Sequence, residues 1–331
     1  MKIAFFELEG WEKNAIKSHF PKDDLIFSEK PLTTASPDDL SEVEVISPFI
    51  YSKIDDLVLA KAPNLKLIST RSTGYDHIDI EACKKRKVSV ANVPHYGENT
   101  VAEHTFALIL ALARKLASSI EKVRRGDFNT NDLRGFDLKG KTIGVIGTGG
   151  IGSHVIRIAY GFEMKIVAYD AFPNKELAKK YEFEYMNLDN LLSQSDIITL
   201  HLPAIKETIH LINKHNVLKI KKGAYIINTA RGALIETEVL LQTLKDGIIA
   251  GAGLDVFEGE AEIKEECELI NCNTSKNLLR LNVANNILLK DPRVIATPHN
   301  AFNSQEAIER ILNTTLENIE AIKRNEKYNL V

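Results

Sequence analysis

The sequence predicts an α/β protein of two doubly wound parallel-sheet domains, one inserted into the other. Three observations carry this. Short apolar runs alternate with helix-patterned stretches almost from end to end, the rhythm of parallel strands joined by helical crossovers. The run TIGVIGTGGIG (142–152) passes from an apolar strand into a helix through three spaced glycines. At 331 residues, the chain has the length of two domains, each able to bury its own core without disulfides.

The first element is the apolar run at 2–6. Glu7 and Glu9 follow it at once, so it is too short for a signal-peptide core and is read as a buried strand. Further early strands are expected at 43–46, 66–70 and 89–92, with Pro48, Pro63 and Pro94 in the loops between them. From about 100 to 125, VAEHTFALILALARKLASSIEKVRR reads as one long amphipathic helix without internal Gly or Pro, ended by Gly126. Its pattern suits a core helix as well as a bridge between domains or a subunit contact. A second strand series is expected at 142–146, 165–169, 196–200, 224–228, 250–255 and 293–296. The stretch 260–290 is longer and more polar than a crossover requires and is read as a local excursion. A helix at 305–324 closes the chain. The glycine loop lies only in the second series, so the closing helix is expected to return to the first. Residues 1–100 and 299–331 would then form a discontinuous, flavodoxin-like substrate domain, with 101–298 inserted as the nucleotide-binding domain.

Composition narrows the partners. With 42 Lys and Arg against 45 Asp and Glu, the formal charge is −3, which gives no reason to expect nucleic acid or an anionic membrane. No stretch approaches the ~20 apolar residues of a membrane span. Three cysteines (Cys83, Cys267 and Cys272) are too few and too odd for a disulfide framework. Cys267 and Cys272 lack neighbouring ligands for zinc, so no metal is expected and the thiols read as free in a reducing cytoplasm.

The glycine loop has a mechanical reading. Gly147 permits the tight turn out of the strand, Gly149 lets backbone approach a pyrophosphate, and Gly152 lets the next helix pack close to the sheet. The helix N-terminus then offers N–H groups and partial positive charge to phosphates. The following strand, KIVAY, ends at Asp170, 18 residues beyond Gly152, where an acid accepts from the adenosine ribose hydroxyls and repels a 2′-phosphate. This is the signature of a Rossmann domain that binds NAD in preference to NADP.

Three later segments carry unusual chemistry at predicted strand ends: NTARG (228–232), LDVFEGE (254–260) and ATPHNAF (296–302). Ligands of open α/β sheets sit beyond the carboxyl ends of the strands, so Arg231, Glu260 and His299 can meet despite their separation in sequence. Arg231 offers a planar fork to a carboxylate or ketone oxygen. His299 can donate a proton to that oxygen as hydride reaches carbon. Glu260 can orient the imidazole and favour its protonated form.

On these motifs, with STGYDHID (72–79), NVPHYGENTVAEH (92–104) and HLPAIKET (201–208), the chain resembles the D-2-hydroxyacid dehydrogenase family over nearly its whole length, closest to its D-lactate dehydrogenase branch. The resemblance implies that Arg231, Glu260 and His299 are the catalytic triad and that Asp255 binds the nicotinamide carboxamide. It implies that Gly150 and Ile151 contact phosphate, that Leu202, Pro203 and Thr208 cover the adenosine half, and that Thr229 and Ala230 approach the nicotinamide. Thr73 and Gly74 would hold the substrate carboxylate through backbone N–H groups, and Phe49, Tyr96 and Phe302 would line a small aromatic pocket. Such walls suit a methyl or modest apolar group and offer no partner for a phosphate. Glu260 stands where formate-oxidising relatives carry Gln, which argues against formate. One departure is Gly150, where relatives often have a longer side chain.

The expected function is therefore NADH-dependent reduction of pyruvate, or another short 2-keto acid, by a cytoplasmic homodimer. The alternative is a non-enzymatic, NAD-sensing protein of the corepressor kind, since such proteins share the fold and triad. These usually add long disordered tails, whereas this chain begins in a strand and ends six residues after Asn325.

Overall fold

The computed structural model describes residues 1–331 except 35, 37, 38, 261–275 and 325. The chain forms two compact units, Met1–Tyr96 with Ser304–Val331, and Gly97–Asn303.

The first unit contains β1 (Lys2–Phe5), α1 (Gly10–His19), β2 (Asp24–Phe27), β3 (Val45–Ser47), α2 (Asp56–Ala60), β4 (Leu67–Ser69), α3 (Ile80–Lys85) and β5 (Ser89–Ala91), together with the closing helix Gln305–Lys323. Its sheet is parallel with the order β2-β1-β3-β4-β5. Successive side chains of a strand face opposite ways. Ile3 and Phe5 accordingly join Ile16 of α1, Phe20 just beyond it, and Leu312, Leu316 and Ile319 of the closing helix. Ala4 and Phe6 join Val58 and Leu59 of α2 and Ala82 and Cys83 of α3. Both faces are covered, which is why β1 reads as an unbroken apolar run.

The second unit contains α4 (Glu98–Ala113), α5 (Leu116–Arg124), β6 (Thr142–Ile146), α6 (Gly150–Gly161), β7 (Lys165–Tyr169), α7 (Lys175–Lys180) and β8 (Glu184–Tyr185). It continues with α8 (Leu188–Gln194), β9 (Ile197–Leu200), β10 (Ala224–Asn228), α9 (Thr237–Lys245), β11 (Ile249–Leu254), α10 (Lys276–Lys290) and β12 (Val294–Ala296). The sheet is parallel throughout, with the order β12-β11-β10-β9-β6-β7-β8. The winding reverses between β6 and β9, so the ligand crevice of this topology lies beyond their carboxyl ends. The fold class is the expected one: two doubly wound parallel sheets.

Three local readings are corrected. The single helix expected over 100–125 is two helices, broken at Arg114 and Lys115, where Lys115 takes a φ of +50°. The break is tertiary in origin. Phe136 donates its N–H to Ala113 O at 3.0 Å, and Lys115 Nζ reaches Asp132 O at 2.7 Å. Returning chain thus takes the Ala113 carbonyl that another turn would have used, and its Asp132 carbonyl holds the Lys115 side chain. α4 is a core helix, with Ala102, Phe106, Leu108, Ile109 and Ala113 packed on the second sheet, whereas α5 buries no residue.

Two strands were not anticipated. β2 (DLIF) is a sheet edge with Asp24 exposed, and β8 is only two residues long. The expected excursion at 260–290 is in its second half the crossover helix α10, which buries Asn282, Ala284, Asn285 and Leu288. Cys267 and Cys272 lie outside the described residues. Cys83 is a buried free thiol that burial pushes up to about 11, leaving it without thiolate character near neutral pH. Among the described residues, no helix is long and apolar enough to cross a membrane and no His/Cys/Asp/Glu group could hold a metal ion.

Candidate active site

The glycine loop joins β6 to α6. Gly147 sits at φ +91°, and a Cβ there would lie 2.6 Å from the His201 carbonyl oxygen. A Cβ on Gly152 would lie 2.0 Å from the Gly147 carbonyl oxygen, so both positions demand glycine. Gly149, the N-cap of α6, faces open space and brings no side-chain cap to the helix. The first-turn N–H groups of α6, with those of Gly150 and Ile151 among them, form an anion cradle that suits a pyrophosphate. Gly150 also has a local reason: the Glu98 carboxylate stands 2.1 Å from where its Cβ would be.

Asp170, at the end of β7, is tied into this loop. Its Oδ2 accepts from Thr148 N–H at 2.6 Å and Thr148 Oγ1 at 2.9 Å, and its Oδ1 accepts from Phe172 N–H at 2.8 Å. The Thr148 hydroxyl also meets the Tyr185 hydroxyl at 2.9 Å. Asp170, expected to face a ligand, thus also fixes the loop. The loop after β9, which carries Leu202 and Pro203, is closed by Thr208, whose Oγ1 lies 2.5 Å from Pro203 O and accepts from Ile205 N–H at 2.9 Å. Burial pushes His201 down to about 3, so its imidazole is neutral at physiological pH.

The loops after β10, β11 and β12 hold the three candidate catalytic side chains. Asn228 turns the first of them: its Oδ1 accepts from Ala230 N–H at 3.1 Å and its Nδ2 donates to Arg231 O at 2.9 Å. Thr229 is pinned from α4 by Thr105, hydroxyl to hydroxyl at 2.9 Å, and Ala230 is buried. Arg231 Nη1 donates to Ala230 O at 2.7 Å. Gly232 lies flat on the loop after β11, since a Cβ there would be 1.9 Å from the Phe257 carbonyl carbon. Glu260 Oε1 stands 2.6 Å from His299 Nδ1, and its Oε2 accepts from Phe257 N–H at 3.2 Å. Burial raises the Glu260 pKa. The His299 hydrogen bond and charge, the Phe257 N–H and the Arg231 charge together outweigh burial and hold it below the ordinary carboxylate range. The structure therefore brings Glu260 and His299 into direct contact, with Arg231 within electrostatic reach.

His299 takes a φ of +51°. A β-substituted residue pays for such a backbone unless its surroundings hold it, and Asp255 is what holds it. Asp255 is 1% exposed, and its Oδ1 accepts from Thr297 Oγ1 at 2.5 Å and Asn300 N–H at 3.0 Å. Its Oδ2 accepts from Ala301 N–H at 2.9 Å, and its carbonyl accepts from His299 N–H at 2.9 Å. The carboxylate expected to face nicotinamide is thus committed to the turn that presents His299. His104 of α4 completes the arrangement, with Nε2 3.1 Å from Thr297 Oγ1. The Thr297 proton is engaged by Asp255, so the imidazole is the donor to Thr297. His104 lies inside a motif noted in the sequence, but nothing in its spacing signalled a contact across 193 residues.

The first unit carries the other candidates. Glu7, at φ +58°, caps the turn containing Phe49, accepting from Phe49 N–H at 3.2 Å, Tyr51 N–H at 2.9 Å and Ser52 N–H at 2.8 Å. The buried Arg71 guanidinium lies 5.7 Å from the Phe49 ring centroid and donates to Phe6 O at 2.7 Å. Thr73 and Gly74 occupy a partly exposed turn held from below: Thr73 Oγ1 donates to Val93 O at 2.7 Å and Asn92 Nδ2 donates to Thr73 O at 2.8 Å. Among the described residues the backbone N–H groups of Thr73 and Gly74 have no hydrogen-bond partner, which leaves two donors for an anion. Arg310 Nε donates to Tyr96 O at 2.7 Å. Phe302, in the second unit, is half-buried.

Comparison with known proteins gives the family. Residues 106–301 match the family model described as "D-isomer specific 2-hydroxyacid dehydrogenase, NAD binding domain". A D-lactate dehydrogenase of Curvularia clavata is 36% identical over 97% of this chain and 92% of its own length. An aromatic 2-oxoacid reductase of Clostridium sporogenes is 40% identical over 77% of this chain and 75% of its own. The structure of D-lactate dehydrogenase from Aquifex aeolicus, complexed with NAD and lactic acid, aligns with a TM-score of 0.88 at 34% identity, covering 99% of this chain and 98% of that one. The cradle at Gly147–Gly152 fits NAD, and the chain belongs to the D-isomer-specific 2-hydroxyacid dehydrogenase family of NAD-dependent oxidoreductases.

Proposed function

We propose that the chain reduces pyruvate, or another short 2-oxo acid, to the D-2-hydroxy acid. The observation that carries the reading is the Glu260–His299 contact at 2.6 Å, with Arg231 near enough for its charge to lower the Glu260 pKa. When bound, NADH would supply the hydride for the carbonyl carbon. His299 Nε2, the ring nitrogen opposite the one held by Glu260, donates the proton to the carbonyl oxygen. Glu260 fixes the ring and stabilises the imidazolium before transfer. In the reverse direction neutral His299 takes the proton. Arg231 polarises the carbonyl or grips the carboxylate, and the Thr73 and Gly74 N–H groups serve the carboxylate.

The first unit is, in this reading, the substrate domain and the second binds the cofactor, with bounds a few residues from the expected 1–100, 299–331 and 101–298. Leu202, Pro203 and Thr208 serve the adenosine half of NAD, Gly150 and Ile151 its phosphates, and Asp170 the ribose. Thr229, Ala230 and Asp255 serve the nicotinamide end, Asp255 through the turn it builds. Phe49, Tyr96 and Phe302 favour a small apolar substituent over a phosphate. The relatives support a choice among pyruvate and bulkier oxo acids rather than a single substrate. Homodimerisation is assigned to the second unit on its own observation: Leu116, Ile120 and Val123 form an exposed apolar stripe along α5. The reading places the enzyme in the cytoplasm.

A kinetic panel of pyruvate, 2-ketobutyrate, phenylpyruvate, hydroxypyruvate and 2-ketoisocaproate, with product chirality determined, tests this. Highest kcat/KM on pyruvate or 2-ketobutyrate with D product is expected. Highest kcat/KM on phenylpyruvate would overturn the small-pocket reading. No turnover on any acid despite tight NADH binding would overturn the enzyme itself.

A further inference from the structure

A second imidazole–carboxylate pair lies two residues from the first. His210 Nε2 is 2.6 Å from Glu258 Oε1. Glu258 Oε2 accepts from Thr237 N–H at 3.2 Å and Thr237 Oγ1 at 2.8 Å. Thr237 opens α9, whose own N-cap brings no side-chain bond, so Glu258 supplies the missing acceptor and a favourable negative charge from another segment. The Glu258 carbonyl accepts from Asn285 Nδ2 of α10 at 2.9 Å.

The turn thus gripped is the one that carries Glu260. Glu260 N–H donates to Phe257 O at 3.2 Å and Phe257 N–H donates to Glu260 Oε2 at 3.2 Å, so Glu258 sits inside a closed four-residue turn. The same turn bears on Gly232, the neighbour of Arg231, with no room even for a methyl group. His210 itself is held in an unusual backbone, at φ +51°, by its N–H to Ala233 O at 2.7 Å and by Asn213 Nδ2 to its carbonyl at 2.8 Å. It ends the loop that begins at His201 and is closed by Thr208.

We propose that His210 and Glu258 are positioning residues: the pair ties the loop of Leu202–Thr208 to the turn carrying Glu260, so that cofactor held by that loop also sets the Glu260–His299 couple. Neither residue touches reacting atoms in this account. The inference rests on the proposed roles of that loop and of Glu260. An ordinary surface ion pair contributes little, but this one shares its carboxylate with a helix N-terminus and is only partly exposed, so its loss propagates into the turn.

The charged groups on the elements packed here are Glu236 and Glu238 at the start of α9 and Arg280 of α10, which pairs with Glu238 at 3.3 Å. Glu260 itself faces His299 and Arg231. All remain in the variants below, so differences between variants at one pH report the pair.

The test compares His210→Ala with His210→Gln, whose amide nitrogen donates at a similar reach. Three readouts are taken: NADH affinity by nicotinamide fluorescence, kcat and KM for the oxo acid, and the pH profile of reduction. In His210→Ala, NADH dissociation constants rise and kcat falls, each by about tenfold, and the profile moves to lower pH as Glu260 loosens. His210→Gln restores both constants to within about threefold. A lowered melting temperature with unchanged NADH affinity, kcat and pH profile in folded His210→Ala would reduce the pair to a structural brace and overturn the proposal. Should His210→Ala not fold, Glu258→Gln takes its place with the same expectations. If the parent protein turns over no oxo acid, the proposed function fails, while NADH affinity in the variants still decides whether the pair serves the cofactor loop.

Discussion

Glu260 holds His299 with one carboxylate oxygen, Oε1 to Nδ1 at 2.6 Å, and its own turn with the other, Oε2 to Phe257 N–H at 3.2 Å. The division explains how a residue in a partly exposed loop can orient an imidazole. Its pKa is depressed, so the stabilisation from ionised Glu260 is fully present above the ordinary carboxylate value of about 4.3 and is lost only as pH falls through the lower folded value. Ionised Glu260 is therefore in place to hold the His299 ring throughout the neutral range. Glu260→Gln keeps the shape and removes the charge. The pH profile of kcat/KM for reduction is expected to move to lower pH, measured from about pH 5 to about pH 9. An unmoved profile would remove Glu260 from this role.

Gly232 makes a steric prediction. A Cβ there would fall 1.9 Å from the Phe257 carbonyl carbon and 2.2 Å from Glu258 N, both of them backbone atoms that cannot step aside cheaply. Gly232→Ala is expected to displace the turn bearing Glu260 together with Arg231 and to lower kcat by on the order of 10²-fold. NADH affinity changes far less, because the cradle at Gly147–Gly152 is untouched. Steady-state kinetics alongside nicotinamide fluorescence separates the two effects.

Asp170 is expected to show two roles. Asp170→Ala removes the acid proposed to disfavour a 2′-phosphate, so the preference for NADH over NADPH is expected to fall. It also strands the buried Thr148 N–H, a loss of about 1–3 kcal/mol when a buried donor goes unmade. Ratios of kcat/KM for the two cofactors report the first effect and thermal melting reports the second. Preserved discrimination would show that the ribose is read elsewhere.

How far the sequence foretold these features depends on whether each is local. β6, β7 and β10 begin and end where expected, because each is mostly an apolar run with polar residues only at its ends, Thr142, Lys165 and Asn228. β2 escaped notice because an edge strand shows a charged residue to solvent, and β8 because two residues make no pattern. The break at Lys115 has no Gly or Pro to mark it, since Phe136 and Asp132 make it from a distance. The Asn-rich stretch hid α10 because its buried Asn282 and Asn285 read as loop residues, yet both side chains find backbone carbonyls, at Leu278 and Glu258. Residue type and position after strands were enough to group Arg231, Glu260 and His299, and the structure does bring Glu260 and His299 into contact. His104, His210 and Glu258 were not, because their meaning lies in whom they touch.

Asp23 tests the acid stability of the first unit. Its carboxylate takes the N-terminal amine at 2.9 Å and Lys323 Nζ of the closing helix at 2.7 Å. Burial raises its pKa, but the hydrogen bonds and charges of Lys323 and the amino terminus lower it further, for a net depression. Stability from this pair is present above the unfolded value of about 3.9 and lost as pH falls through the folded one. Asp23→Asn is expected to be less stable than the parent by about 1 kcal/mol near pH 7, with the gap closing in acid. Urea unfolding at neutral pH and near pH 3 checks the sign; a gap that widens in acid would contradict it.

The central claim is that His299, held by Glu260, delivers the proton that completes reduction of a 2-oxo acid. The most direct measurement is single-turnover oxidation of enzyme-bound NADH on mixing with pyruvate, in the parent protein and in His299→Ala. The account predicts D-lactate formation in the parent and a rate lower by on the order of 10²–10⁴-fold in the variant, with NADH affinity retained. Equal rates in the two proteins would contradict it.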